Sequence, residues 1–182
     1  SAPSLMNKTI LTIAMLGAAA SFSSAAVLVT PTGVTAALTF TPPSPGINFF
    51  PVGNIINNSG LSGAADIGNY TSITHSAASA STAWTTDDPA PGGGDWFAEG
   101  NAPVALLLPL GGTYSLTDFV FWGYHFGAGN GNEARAFTVE FSTNGGASFG
   151  SSVNVEQPLG SLAVFNSATL SFGGAFTADT VR

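Results

Sequence analysis

At 182 residues the chain has room for one domain with a real core and none for a second of ordinary size. Charged residues are only 7% of it, three basic against ten acidic, for a formal charge of −7, where average soluble proteins carry about 25%. That balance excludes nucleic acid and disfavours anionic lipid, since both need clustered Lys or Arg. The absence of Cys removes disulfides, thiolate nucleophiles and zinc-thiolate sites together.

From Met6 the chain reads as an export signal. Lys8 is a minimal basic region, residues 10–20 are an apolar run, and Ser24-Ala25-Ala26 offers small residues for cleavage after Ala25 or Ala26. The competing reading is an uncleaved anchor, because residues 9–29 hold no charge. Dilution by Ala, Ser and Gly favours the cleaved signal. Residues 1–5 precede the plausible initiator and read as an upstream or expression remnant. The expected organisation is therefore signal peptide 6–26 and one domain, 27–182.

Residues 26–30 and 35–40 are short β-prone runs. The three prolines of residues 41–46 forbid helix and central strand there. Residues 54–68 read as polar loop and 84–96 as a long loop rich in Asp, Pro and Gly. The continuous apolar run 103–110 predicts a buried strand. Strands follow at 114–124, 135–143, 152–156, 162–165 and 168–172. Within 135–143, Phe137, Val139 and Phe141 alternate with Thr138, Glu140 and Ser142, which predicts one buried and one wet face. Asn144-Gly145-Gly146 then supplies the positive-φ positions of a hairpin. No segment of the mature chain carries a helical period with caps. Short strands with turn signals between them predict an all-β, antiparallel β-sandwich or jelly roll.

Several landmarks occur in one order: Thr82-Ala83-Trp84, Leu110-Gly111, Tyr114-Ser115-Leu116 leading to Phe119 and Trp122, Phe141-Ser142, Asn144-Gly145-Gly146, and Thr180-Val181-Arg182. This resembles the discoidin, or coagulation-factor C-type, galactose-binding-like jelly roll, nearest to exported bacterial versions that often carry a C-terminal sorting tail. The resemblance spans residues 54–182. It implies a structural calcium near the T-x-W, but the Asp-Gly that serves it in the family is replaced here by Ser79-Ala80-Ser81. The substitute ligands would be Asn57, Asn58 and Thr82, which bring carbonyl and hydroxyl oxygens without charge. The family pattern also runs past the V-R through a further strand, so the resemblance implies that the last strand is missing and that the chain is a fragment.

For a ligand, the loop 84–97 combines Trp84 and Trp96 with Asp87, Asp88 and Asp95. An aromatic face suits the C–H side of a sugar ring, and carboxylates suit its hydroxyls. The plainer alternative has both Trp plugging the end of the sandwich, with the Asp residues merely solvated. Tyr124 and His125 offer a second ligand-facing edge beyond Trp122, which is itself more often core. Gly146-Ala147-Ser148-Phe149-Gly150 matches the G-x-S-x-G of serine esterases but lacks the strand–turn–helix setting that a nucleophile elbow needs. The same stretch resembles an Asp-box turn, which is structural. The carboxylate pairs Asp87/Asp88 and Asp95/Glu99 lie in a loop poorly suited to the fixed spacing of glycoside hydrolysis. The expectation is a non-catalytic exported module for carbohydrate or another surface polymer, with no cofactor beyond that calcium, no nucleic-acid partner and no membrane contact after cleavage. A self-associating envelope protein is the alternative, and a serine esterase a distant third.

Overall fold

A computed structural model describes residues 25–37, 50–85, 104–123, 134–156 and 166–182. Among the described residues, five strands form one curled antiparallel sheet: β1 (Thr35–Ala37), β2 (Ala105–Trp122), β3 (Ala136–Ser142), β4 (Ser151–Glu156) and β5 (Ser167–Val181), in the order β1-β2-β5-β3-β4. The single helical element among the described residues is a short 3-10 turn, Val52–Ile55. The all-β expectation is met.

β2 and β5 hold the sheet together, and their ladder shifts register twice. Between the pairs Pro109↔Thr180 and Tyr114↔Ala178, four residues of β2 face one of β5. Between Leu116↔Phe176 and Asp118↔Ser171, one residue of β2 faces four of β5. The two bulges cancel, so both ends of the ladder share one register. Each carries a glycine in the left-handed region, Gly111 at φ 76° and Gly173 at φ 71°, where a side chain would be strained. Each also delivers a buried side chain to the core, Leu110 and Phe172. The bulges bend the sheet so that it wraps its own apolar face.

That face is aromatic. Phe141 stacks on Phe176 at 4.4 Å between centroids and meets Phe172 edge-on at 5.2 Å. Phe137 sets its edge against Phe119 and Phe121, at 5.2 and 5.1 Å. Phe141 is 3% exposed, whereas Phe119, Phe121 and Phe137 are half-buried.

Three sequence expectations change. Residues 26–30 form no strand: Val29 packs against the core, and Thr32 donates from its N–H and Oγ1 to Pro109 O, at 2.8 and 3.1 Å. The expected breaks around residues 111–113 and beyond residue 172 are bulges inside continuous strands, because glycine there kinks the ladder without ending it. Ser142, assigned to the wet face, is 1% exposed. Its Oγ accepts the N–H of Asn144 and Gly146 and donates to Asn144 Oδ1, so it is buried with its polar atom satisfied. The expected strand at 162–165 lies outside the described residues.

Truncating Phe141 to Ala removes the ring that joins β3 to β5 and should cost about 3–5 kcal/mol in urea unfolding. Phe137→Ala, at a half-buried ring, should cost clearly less. A separate test concerns Glu140, whose carboxyl is held below the ordinary glutamate value of 4.5 chiefly by its hydrogen bond to Arg182. A depressed carboxylate stabilises the fold above its unfolded pKa and loses that contribution as pH falls through the folded one. Wild type should therefore lose stability below pH 4.5 more steeply than Glu140→Gln, by about 0.5 kcal/mol for so exposed a pair.

Candidate functional site

Residues 50–85 build a pad of turns against the sheet, held by side-chain hydrogen bonds more than by ladders. Asn54 is its centre. Its Nδ2 donates to Ala80 O at 3.1 Å and to Ala83 O at 2.7 Å, drawing residues 80–83 onto the 3-10 turn. The His75 ring lies across the same loop, Nε2 at 2.8 Å from Thr82 O and Nδ1 at 2.5 Å from Ser76 O. Gly60, at φ 80°, makes the close approach possible: a Cβ there would stand 2.8 Å from the His75 ring and from Thr82 Cβ.

The pad packs its 3-10 turn beside β1 and is hydrogen-bonded to the ends of β2 and β5. Trp122 Nε1, at the end of β2, donates to Ile73 O at 3.0 Å. Ser167 Oγ, at the start of β5, donates to Tyr70 O, and Thr74 bridges Asn166. Trp122 therefore pins strand to pad; it is half-buried there, not part of the core that the sequence suggests for it. The pad ends at Trp84 and Thr85, the last described residues before the Trp84 loop. Ala83 is gripped by Asn54, and Thr85 bridges Phe50, so the root of that loop is fixed on both sides of the half-buried Trp84.

Of the sequence-derived ligand residues, Trp84 stands on this pad, while Asp87, Asp88, Asp95, Trp96, Tyr124 and His125 lie outside the described residues. Asn57, Asn58 and Thr82, offered to calcium, all belong to the pad. Asn57 Oδ1 accepts the N–H of Ser59, and Asn58 adopts a left-handed φ of 59°. Thr82 Oγ1 donates to Ala77 O and accepts from Ser79 N–H. An ion there would compete with these internal donors, and none of the three residues supplies a carboxylate to offset its charge. Among the described residues, no group of three His, Cys, Asp or Glu side chains gathers to hold a metal.

Ser148 sits in the β3–β4 turn. Its Oγ accepts from Asn144 Nδ2 at 2.9 Å and its N–H donates to Asn144 Oδ1 at 3.0 Å, a closed pair within the turn. Gly145 and Gly146 take the positive φ values that the sequence predicts, 70° and 83°. Asp179 fastens this turn to β5 by accepting Gly145 N–H on both carboxylate oxygens. No helix of the described residues is long and apolar enough to cross a membrane.

Sequence reasoning missed Asn54 and His75 as organisers of the pad. Asn54 read as one more polar loop residue, since its partners lie 26 and 29 positions away. Replacing the Asn54 donor by an acceptor of the same shape tests the clamp. Asn54→Asp should cost about 2–3 kcal/mol in urea unfolding, because two carbonyls would then face a carboxylate. Asn57→Asp keeps the oxygen that Ser59 uses and gives up only an exposed 3.5 Å bond to Asn54 Oδ1, so it should cost clearly less, about 0.5 kcal/mol.

No protein-family model matches the chain, and no curated protein or solved structure matches it either.

Proposed function

We propose that the chain is an exported, non-catalytic β-sandwich of the discoidin-like jelly-roll type that binds carbohydrate or another extracellular polymer through the loops beside its pad. The observation that carries this reading is the Asn54 clamp, which with the Phe50–Thr85 bridge fixes the root of the Trp84 loop. Sugar binding rewards an aromatic ring held in place before the ligand arrives, because ordering a loop on binding costs affinity. The sequence of that loop supplies the chemistry, two Trp for ring faces and three Asp for hydroxyls. Export rests on the leader at 6–26, whose proposed cleavage point adjoins an exposed segment, Ala25 and Ala26, ahead of the first core contact at Val29.

A specific feature favours a second reading, a structural protein of the cell envelope that associates with other chains. Both described arginines are already engaged, Arg135 with Glu156 and Arg182 with Glu140. Charged residues are only 7% of the chain, which carries 23 Gly.

Polysaccharide pull-down and glycan-array measurements on the chain from Val27 separate the two readings. Under the binding reading, Trp84→Ala and Trp96→Ala each weaken retention about tenfold or more, the loss of roughly one stacking contact. Asn54→Asp weakens it too by loosening the loop root. Retention that survives both Trp changes, or no retention on any polysaccharide, sinks the binding reading.

A further inference from the structure

Asn144-Gly145 is a chemically labile pair, and the fold places it in the β3–β4 turn. The backbone nitrogen after an Asn can attack the side-chain carboxamide, and Gly in that place has no side chain to hinder the attack. The turn restrains both reacting groups.

The electrophile is the Asn144 carboxamide. Its Oδ1 accepts from Ser142 Oγ at 2.8 Å and from Ser148 N–H at 3.0 Å, and its Nδ2 donates to Ser148 Oγ at 2.9 Å. Closing Cγ onto the Gly145 nitrogen moves the whole amide and gives up these bonds. The nucleophile is restrained from a distant part of the chain. Gly145 N–H donates to the Asp179 carboxylate of β5, at 3.0 Å from Oδ1 and 3.2 Å from Oδ2. Attack requires this nitrogen to shed its proton, and the charge would then develop against a carboxylate already there.

We propose that Asn144 is a deamidation site that the fold keeps closed, with Asp179 and Ser148 as the residues that close it. When the turn opens, Gly145 N bonds to Asn144 Cγ, the Cγ–Nδ2 bond breaks, and Nδ2 leaves as ammonia with the Gly145 proton. Water then opens the cyclic imide on either side, giving aspartate or isoaspartate at this position. Aspartate keeps the oxygens that Ser142 and Ser148 use. Isoaspartate routes the main chain through the side chain and so adds a methylene between the Asn144 Cα and Gly145 N. That extra atom displaces Gly145 from Asp179, and Gly146 from Ser142 Oγ, which its N–H meets at 2.9 Å. Gly146 has little room to shift, since a Cβ on it would stand 3.3 Å from Leu107 and 3.4 Å from Thr180. The isoaspartyl chain is therefore one whose β3–β4 turn has come loose from β5. This chemistry is independent of the sugar-binding reading.

Incubation of the full chain at mildly alkaline pH, folded and in urea, tests the proposal. Mass spectrometry follows the peptide bearing Asn144, with isoaspartate separated by chromatography. In folded wild type the reaction should run at least about a hundredfold slower than in urea. Asp179→Ala should speed the folded reaction about tenfold, and Asp179→Asn, which keeps an acceptor oxygen without the charge, by less. Ser148→Ala, which frees Nδ2, should speed it too. Phe137→Ala weakens the fold away from the turn and should leave the Asn144 rate as in wild type. In the isoaspartyl chain isolated from aged wild type, the Gly145 and Gly146 amides should exchange about tenfold faster. Folded wild type that deamidates at Asn144 as fast as in urea overturns the proposal, and that result needs no variant to fold. A folded Asp179→Ala chain with the wild-type rate overturns it. So does a Phe137→Ala rate equal to that of Asp179→Ala, because the reaction then follows global unfolding instead of the turn. Unchanged Gly145 exchange in the isoaspartyl chain overturns it as well.

Discussion

The structure depends on β5 being shared. This strand pairs with β2 over nearly its whole length and with β3 only near its end, so among the described residues three backbone pairs tie the β3–β4 hairpin to the rest of the sheet. Three pairs would leave a hairpin marginal in water. The Phe141–Phe176–Phe172 contact reinforces them by putting one ring of β3 against two of β5, and Phe137 adds its edge against Phe119 and Phe121 of β2. The two cancelling bulges serve that contact, since only a bent β5 can pair with β2 and still present Phe172 and Phe176 to the hairpin.

With so little charge, the chain satisfies its polar groups by short neutral devices. Ser142, Asn144 and Ser148 close the β3–β4 turn among themselves, and Asp179 fastens that turn to β5. Asn54 does comparable work in the pad for two carbonyls of another loop. Each device removes donors or acceptors from competition with water and sets a loop in one conformation. Rigidity in the loops therefore comes from amides and hydroxyls, which suits a chain with only three basic residues.

The hairpin was legible because its information is local. Alternation of Phe137, Val139 and Phe141, and the glycines after Asn144, reach their structural consequences within a few residues. The length of β5 was not legible, because Gly173-Gly174 reads as a turn and only pairing with β2 turns it into a bulge. Ser142 misled for a related reason: its face is set by alternation, but its burial is set by the turn that follows. The pad is the extreme case, since its order comes from contacts between residues far apart in sequence. Of the candidate site, the aromatic and acidic composition of the Trp84 loop was visible in the sequence, and the clamp beneath its root was not.

The charge balance narrows the proposed ligand beyond the word polymer. A net charge of −7 repels acidic polysaccharides over roughly a Debye length, about 8 Å at physiological salt. Both described arginines that could offset this are committed to glutamates. A neutral or cationic chain meets no such barrier, and Asp side chains would accept from its hydroxyl or ammonium groups. Aromatic stacking with carboxylate acceptors thus favours neutral or amino sugars over uronic or sulfated ones.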